Sequence, residues 1–266
     1  MSGLVVNGVR IHVEEHGAGE PILCVHGAGG SALAWAGAVG ELERRGRVIV
    51  YDRRGCARSE RPEPYERTSV REHAADAAAL LAALDAAPAA VIGKSYGGTV
   101  ALDLALRHPD RVRALALLEP DAPRELMPGA LRLVDGLREH LRQVAARDGM
   151  AAVGEALVAE VGGEDAWRSF PEELRRVITG NGPAILAELG GEWWLEAEPT
   201  ELAAIDQPTL IVAASDSPPE FRQASEALAE AIPNARLERV GGGHIIDPTD
   251  PAVLGFIEDV LAATRA

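Results

Sequence analysis

Lysine is nearly missing from this chain of 266 residues: the single one is Lys94, and every other fixed cation is an arginine. Cations are also outnumbered, with 26 Lys and Arg against 41 Asp and Glu, for a formal net charge of −15. That balance argues against nucleic acids and anionic membranes as partners. The acids are scattered, so they read as solvated surface. Only two cysteines are present, Cys24 and Cys56, which excludes a disulfide framework. No His-Glu-x-x-His, no closely spaced cysteine pair and no acidic calcium loop occurs, so no metal is expected. The Gly-rich stretch 26–30 lacks the Gly-x-Gly-x-x-Gly spacing and the following ribose-binding acid, so no dinucleotide cofactor is expected. No apolar run is long enough to span a bilayer, and the opening residues 1–8 do not resemble a secretory signal. Cytoplasmic residence is the resulting expectation, with a small molecule as the partner.

What is present is enough apolar residue, 47%, to bury a full core in one α/β domain with a modest insertion. Residues 4–6 and 10–14, separated by Asn7-Gly8, read as an opening hairpin. Apolar strands are predicted near 21–25, 47–51, 89–93, 112–118, 208–213 and 235–240. Helices are predicted near 31–44, 69–86, 97–108, 219–231 and 250–264. Such alternation predicts a parallel sheet covered on both faces. Between Pro120 and about Ile205 the strands vanish, and 123–148, 150–161 and 171–188 read as helical. Pro120, Pro123 and Pro128 mark the start of this insertion, and Pro199 and Pro208 its end.

Ser95 carries the strongest chemical signal. It lies in Gly93-Lys94-Ser95-Tyr96-Gly97-Gly98, between the apolar run 89–92 and a helix-like stretch from Thr99. Glycines on both sides permit a turn too sharp for side chains, with the serine hydroxyl projecting from it. The helix that follows adds free N–H groups suited to developing negative charge. Upstream, the strand 21–25 runs into His26-Gly27-Ala28-Gly29-Gly30-Ser31, and the strand 47–51 runs into Asp52-Arg53-Arg54-Gly55-Cys56-Ala57-Arg58-Ser59. Together these segments resemble the α/β-hydrolase superfamily, whose Asp-x-Arg-Gly-x-Gly-x-Ser turn is matched except at Ala57.

The resemblance implies a mostly parallel eight-stranded sheet with helices on both faces. It also implies a core of residues 1–120 and 206–266, with 121–205 as a helical cap that chooses the substrate. Ser95 would be the nucleophile and His244, in the loop Gly241-Gly242-Gly243-His244, its base. Backbone N–H groups of Ala28 and Tyr96 would form the oxyanion hole. For the acid, Asp216 follows the strand 208–213 and is the expected choice, although it could simply cap the helix after Pro218; Glu119, at the end of the strand 112–118, is its rival. Lys94 is expected to point away from Ser95 and to pair with Glu119. His26, Trp193 and Trp194 are candidate substrate contacts, and of the two adjacent tryptophans at most one should face the pocket.

A serine nucleophile disfavours the epoxide hydrolases and haloalkane dehalogenases of this superfamily, which use aspartate. Cleavage of an ester, lactone or thioester in a small, mostly apolar molecule is the leading expectation. Carbon–carbon bond hydrolysis, cofactor-free haloperoxidase-like chemistry and a non-hydrolytic binding role remain open alternatives.

Overall fold

The computed structural model describes residues 3–127, 130–191 and 193–263. Pro128 therefore lies outside the described residues. Eight strands form one sheet: β1 (Gly3–Val6), β2 (Val9–His16), β3 (Pro21–Val25), β4 (Arg47–Tyr51), β5 (Ala89–Lys94), β6 (Val112–Leu118), β7 (Thr209–Ala214) and β8 (Ala235–Val240). Their order is β1-β2-β4-β3-β5-β6-β7-β8. β1 pairs antiparallel with β2 and β2 antiparallel with β4, while every later pairing is parallel. The near-continuous apolar runs of β3 to β7 are what such a sheet demands, because both faces of a central parallel strand are covered. β8, at the edge, instead alternates between partly buried and exposed residues.

One face is covered by α2 (Val70–Ala83), α3 (Tyr96–Arg107) and α9 (Pro219–Ala231), the other by α1 (Ala36–Leu42) and α10 (Pro251–Ala262). Ser69 and Glu72 form a reciprocal capping box that fixes the start of α2. The expected helix at 31–44 begins instead as a 3₁₀ turn, Ala32–Trp35, with Ser31 accepting a hydrogen bond from the Leu33 N–H. Among the described residues, five α-helices lie between β6 and β7 and form the cap: α4 (Ala130–Asp148), α5 (Ala152–Gly162), α6 (Glu164–Ser169), α7 (Glu172–Gly180) and α8 (Gly182–Gly190). The single helix expected over 171–188 is two, broken at Gly180-Asn181-Gly182-Pro183, where weak helix formers meet a proline that starts a new first turn.

Register brings the functional turns together. Val25 pairs with Gly93, and Lys94 with Leu118. The loop after β3, the serine after β5 and the acid after β6 consequently stand side by side at the C-terminal edge of the sheet.

Candidate active site

Ser95 sits between β5 and α3 with φ 50° and ψ −127°, a conformation a non-glycine residue holds only under constraint. The constraint is visible on both flanks. A Cβ on Gly97 would lie 2.3 Å from the Val25 carbonyl oxygen, and one on Gly93 would lie 2.5 Å from that of Gly97. Glycine is thus required for α3 to pack this tightly on the strand ends. The Ser95 N–H donates to the Leu118 carbonyl at 2.8 Å, and the Ser95 carbonyl accepts from the Gly98 N–H at 2.7 Å.

Ser95 Oγ lies 2.9 Å from Nε2 of His244. The other ring nitrogen, Nδ1, is 2.8 Å from Oε2 of Glu119, and both side chains are buried. The acid on the imidazole is therefore Glu119, not the expected Asp216. Asp216 points to solvent; its N–H donates to the Gly242 carbonyl at 2.9 Å, and among the described residues its carboxylate accepts only from the Ser215 hydroxyl, at 3.0 Å. Glu119 turns inward through a backbone at φ 46°. Its carboxylate accepts from the Ala214 N–H at 2.8 Å and from the Ser217 hydroxyl at 2.7 Å. Phe221, which no sequence signal singled out, stacks on the His244 ring with centroids 3.9 Å apart. The expected Lys94–Glu119 pair is absent, because Glu119 is fully engaged elsewhere.

No acceptor among the described residues takes the Ala28 N–H. The Tyr96 N–H opens α3, where first-turn N–H groups have no partner within the helix. The loop that carries Ala28 is fixed from below. His26, expected near the substrate, is instead fully buried beneath the loop, with Nδ1 donating to the Gly27 carbonyl at 2.9 Å and Nε2 accepting the Arg53 N–H at 3.0 Å. Burial, with the neighbouring Arg53 cation, pushes its pKa down to about 3, so this imidazole is neutral. The Arg53 guanidinium donates to the carbonyls of His26 and Gly27, and pairs at 2.7 Å with Glu188 of α8. Asn181, at the α7–α8 break, donates to the carbonyls of Gly29 and Gly30, both at 2.8 Å. With two loop carbonyls held by the arginine and two by the asparagine, the loop has little freedom to turn. These cap-to-loop ties carry no local sequence signature, since each joins residues over a hundred positions apart.

Above Ser95 and His244 opens a cavity of about 870 Å³ between the sheet edge and the cap, lined largely by apolar side chains such as Met127, Leu157, Ile178 and Phe221. Trp193 lines it and packs against Tyr96 at 4.8 Å between ring centroids. Trp194 does not line it and lies beside Arg124 instead. Asp121 also lines the cavity; burial raises its pKa to about 6, partly offset by His244 and by a bond to the Trp193 side chain. Among the described residues no group of three or more His, Cys, Asp or Glu side chains is arranged to hold a metal ion.

With this geometry goes a family. The chain belongs to the α/β-hydrolase fold family, whose model matches residues 20–251. It is 31% identical over 265 residues to the putative carbamate hydrolase RutD of Azorhizobium caulinodans, covering 94% of this chain and 96% of that one. Two other curated relatives match over only about half of their lengths, 52% and 41%. Among solved structures, a thermophilic esterase from Thermogutta terrifontis is similar with a TM-score of 0.71 and 27% identity, covering 99% of this chain and 94% of that one. Est816, described as an N-acyl homoserine lactone degrading enzyme, is similar with a TM-score of 0.74 and 25% identity, covering 98% and 99%.

Proposed function

We propose that this α/β-hydrolase is a serine hydrolase that cleaves an ester, lactone or thioester bond in a small, mostly apolar molecule. The observation that carries the reading is the unbroken chain from Ser95 Oγ through His244 to Glu119, with links of 2.9 and 2.8 Å, opening onto a largely apolar cavity. A serine hydroxyl becomes a nucleophile when an imidazole takes its proton, and a carboxylate on the far nitrogen holds the tautomer that leaves Nε2 free to do so. Ser95 Oγ attacks the carbonyl carbon as His244 Nε2 takes its proton, and the oxyanion is received by the N–H groups of Ala28 and Tyr96. On collapse the alcohol or thiol departs with the proton from His244. Water then repeats the sequence on the acyl-serine.

Residues 121–205 act as the cap that selects the substrate, with Trp193 as the aromatic contact. The same reading keeps the enzyme in the cytoplasm, supported by two buried cysteines that are not bridged. No helix among the described residues is long and apolar enough to cross a membrane. The direct test is a series of p-nitrophenyl esters of increasing chain length with the wild type and Ser95→Ala, alongside fluorophosphonate labelling. Loss of Ser95 should lower kcat by at least about 10⁴-fold while the fold is kept. Turnover that survives in Ser95→Ala would sink the mechanism.

A further inference from the structure

The reaction just described gives Lys94 no task, and its position is unusual. As the last residue of β5 it should point away from its neighbour Ser95, but strand alternation lasts only while the backbone stays extended. It ends at Ser95, whose φ is 50°, and Lys94 lines the same cavity as the nucleophile. Among the described residues its ammonium has no hydrogen bond and no ion pair. The Trp35 ring lies 5.8 Å from Nζ, and Asp247 is the one charge that acts on it. Asp247 is itself exposed, and the N–H and hydroxyl of Thr249 both donate to its Oδ1 at 2.8 Å. Small residues, Ala34, Gly37 and Ala38, also line this cavity, and a Cβ on Gly37 would meet nothing within 4 Å. Space and a fixed cation thus coincide within one residue of the nucleophile, in a cavity lined largely by apolar side chains whose carboxylates are Asp121, Glu160, Glu220 and Asp247. Burial lowers the Lys94 pKa to about 8, as expected of an ammonium short of counter-charge.

We infer that Lys94 is a specificity-determining residue that binds a carboxylate carried by the substrate a few bonds from the scissile carbonyl. The favoured substrates are then half-esters or lactones with one free carboxylate on a mostly apolar frame. The anion completes the unpaired ammonium, and the apolar surroundings strengthen the pairing. This inference rests on the proposed hydrolytic activity and narrows it.

The test compares matched esters in the wild type, Lys94→Met and Lys94→Arg. One pair, mono-p-nitrophenyl glutarate and p-nitrophenyl valerate, places the carboxylate on the acyl side. A second, 4-carboxyphenyl butyrate and phenyl butyrate, places it on the alcohol side. The quantity read is kcat/KM for the anionic ester over that for the neutral one. In at least one pair Lys94→Met should lower this ratio by about tenfold or more, the scale of a lost charge-assisted hydrogen bond, and Lys94→Arg should restore part of it. A smaller drop in both pairs overturns the inference. Should the wild type cleave none of these esters, the proposed activity fails, and calorimetric binding of glutarate still decides the role of Lys94. Binding to Ser95→Ala that weakens about tenfold or more on adding Lys94→Met upholds it, and no binding or equal affinity overturns it.

Discussion

The turns that close β6 and β7 are neighbours, and each carries a carboxylate, but only one of the two faces the imidazole. At the first, Glu119 adopts φ 46°, its N–H donates to the Val212 carbonyl at 3.0 Å, and the side chain runs inward to full burial. At the second, Asp216 stays in solvent while the residues around it serve Glu119: Ala214 through its N–H and Ser217 through its hydroxyl. The β7 turn is therefore a donor shell for an acid supplied by the β6 turn. A carboxylate held by two other donors presents a fixed oxygen to His244 Nδ1, and fixed orientation is what a triad acid contributes.

Two substitutions sharpen this contrast. Glu119→Gln keeps the shape but can present an N–H to Nδ1, which favours the wrong tautomer; kcat should fall by about 10³–10⁴-fold, by analogy with amide replacement of a triad acid. Steady-state kinetics on the best p-nitrophenyl ester read it, and a loss under tenfold would return the acid role to another residue. Asp216→Asn should change kcat by less than about twofold and stability by no more than about 0.5 kcal/mol, the usual range for an exposed site. A loss in Asp216→Asn rivalling that in Glu119→Gln would reverse the comparison.

Most of the scaffold was legible because apolar runs, turn glycines and alternating periods are local signals. Ser95 and His244 were readable for the same reason, each marked by glycines at a strand end. The acid was less so: Asp216 and Glu119 both follow apolar strands, and only the backbone dihedral at Glu119 decides which carboxylate enters. Lys94 was misplaced because a period-two rule was carried to the residue where the strand ends. Asn181, Arg53 and Glu188 hold the loop across long sequence separations, which no window along the chain can detect. The break at Asn181 left a trace in Gly180-Asn181-Gly182-Pro183, although apolar periodicity on both sides masked it.

The buried Arg53 beneath the loop has a consequence for acid tolerance. Its guanidinium contacts Nε2 of His73 at 3.2 Å and its N–H donates to Nε2 of His26, so both imidazoles must stay unprotonated there. Burial and the Arg53 charge depress the pKa of both, that of His26 to about 3. Unfolded histidine takes up a proton near pH 6.5, so below that value the unfolded chain binds protons that the folded chain refuses. The stabilisation these two residues contribute is complete above about pH 6.5 and drains away as the pH falls below it, for His26 down to about pH 3. Thermal unfolding followed from pH 7 to pH 4 should show a falling Tm, and His73→Gln should flatten that slope. Acid thus reaches these imidazoles by melting the chain rather than by titrating it in place.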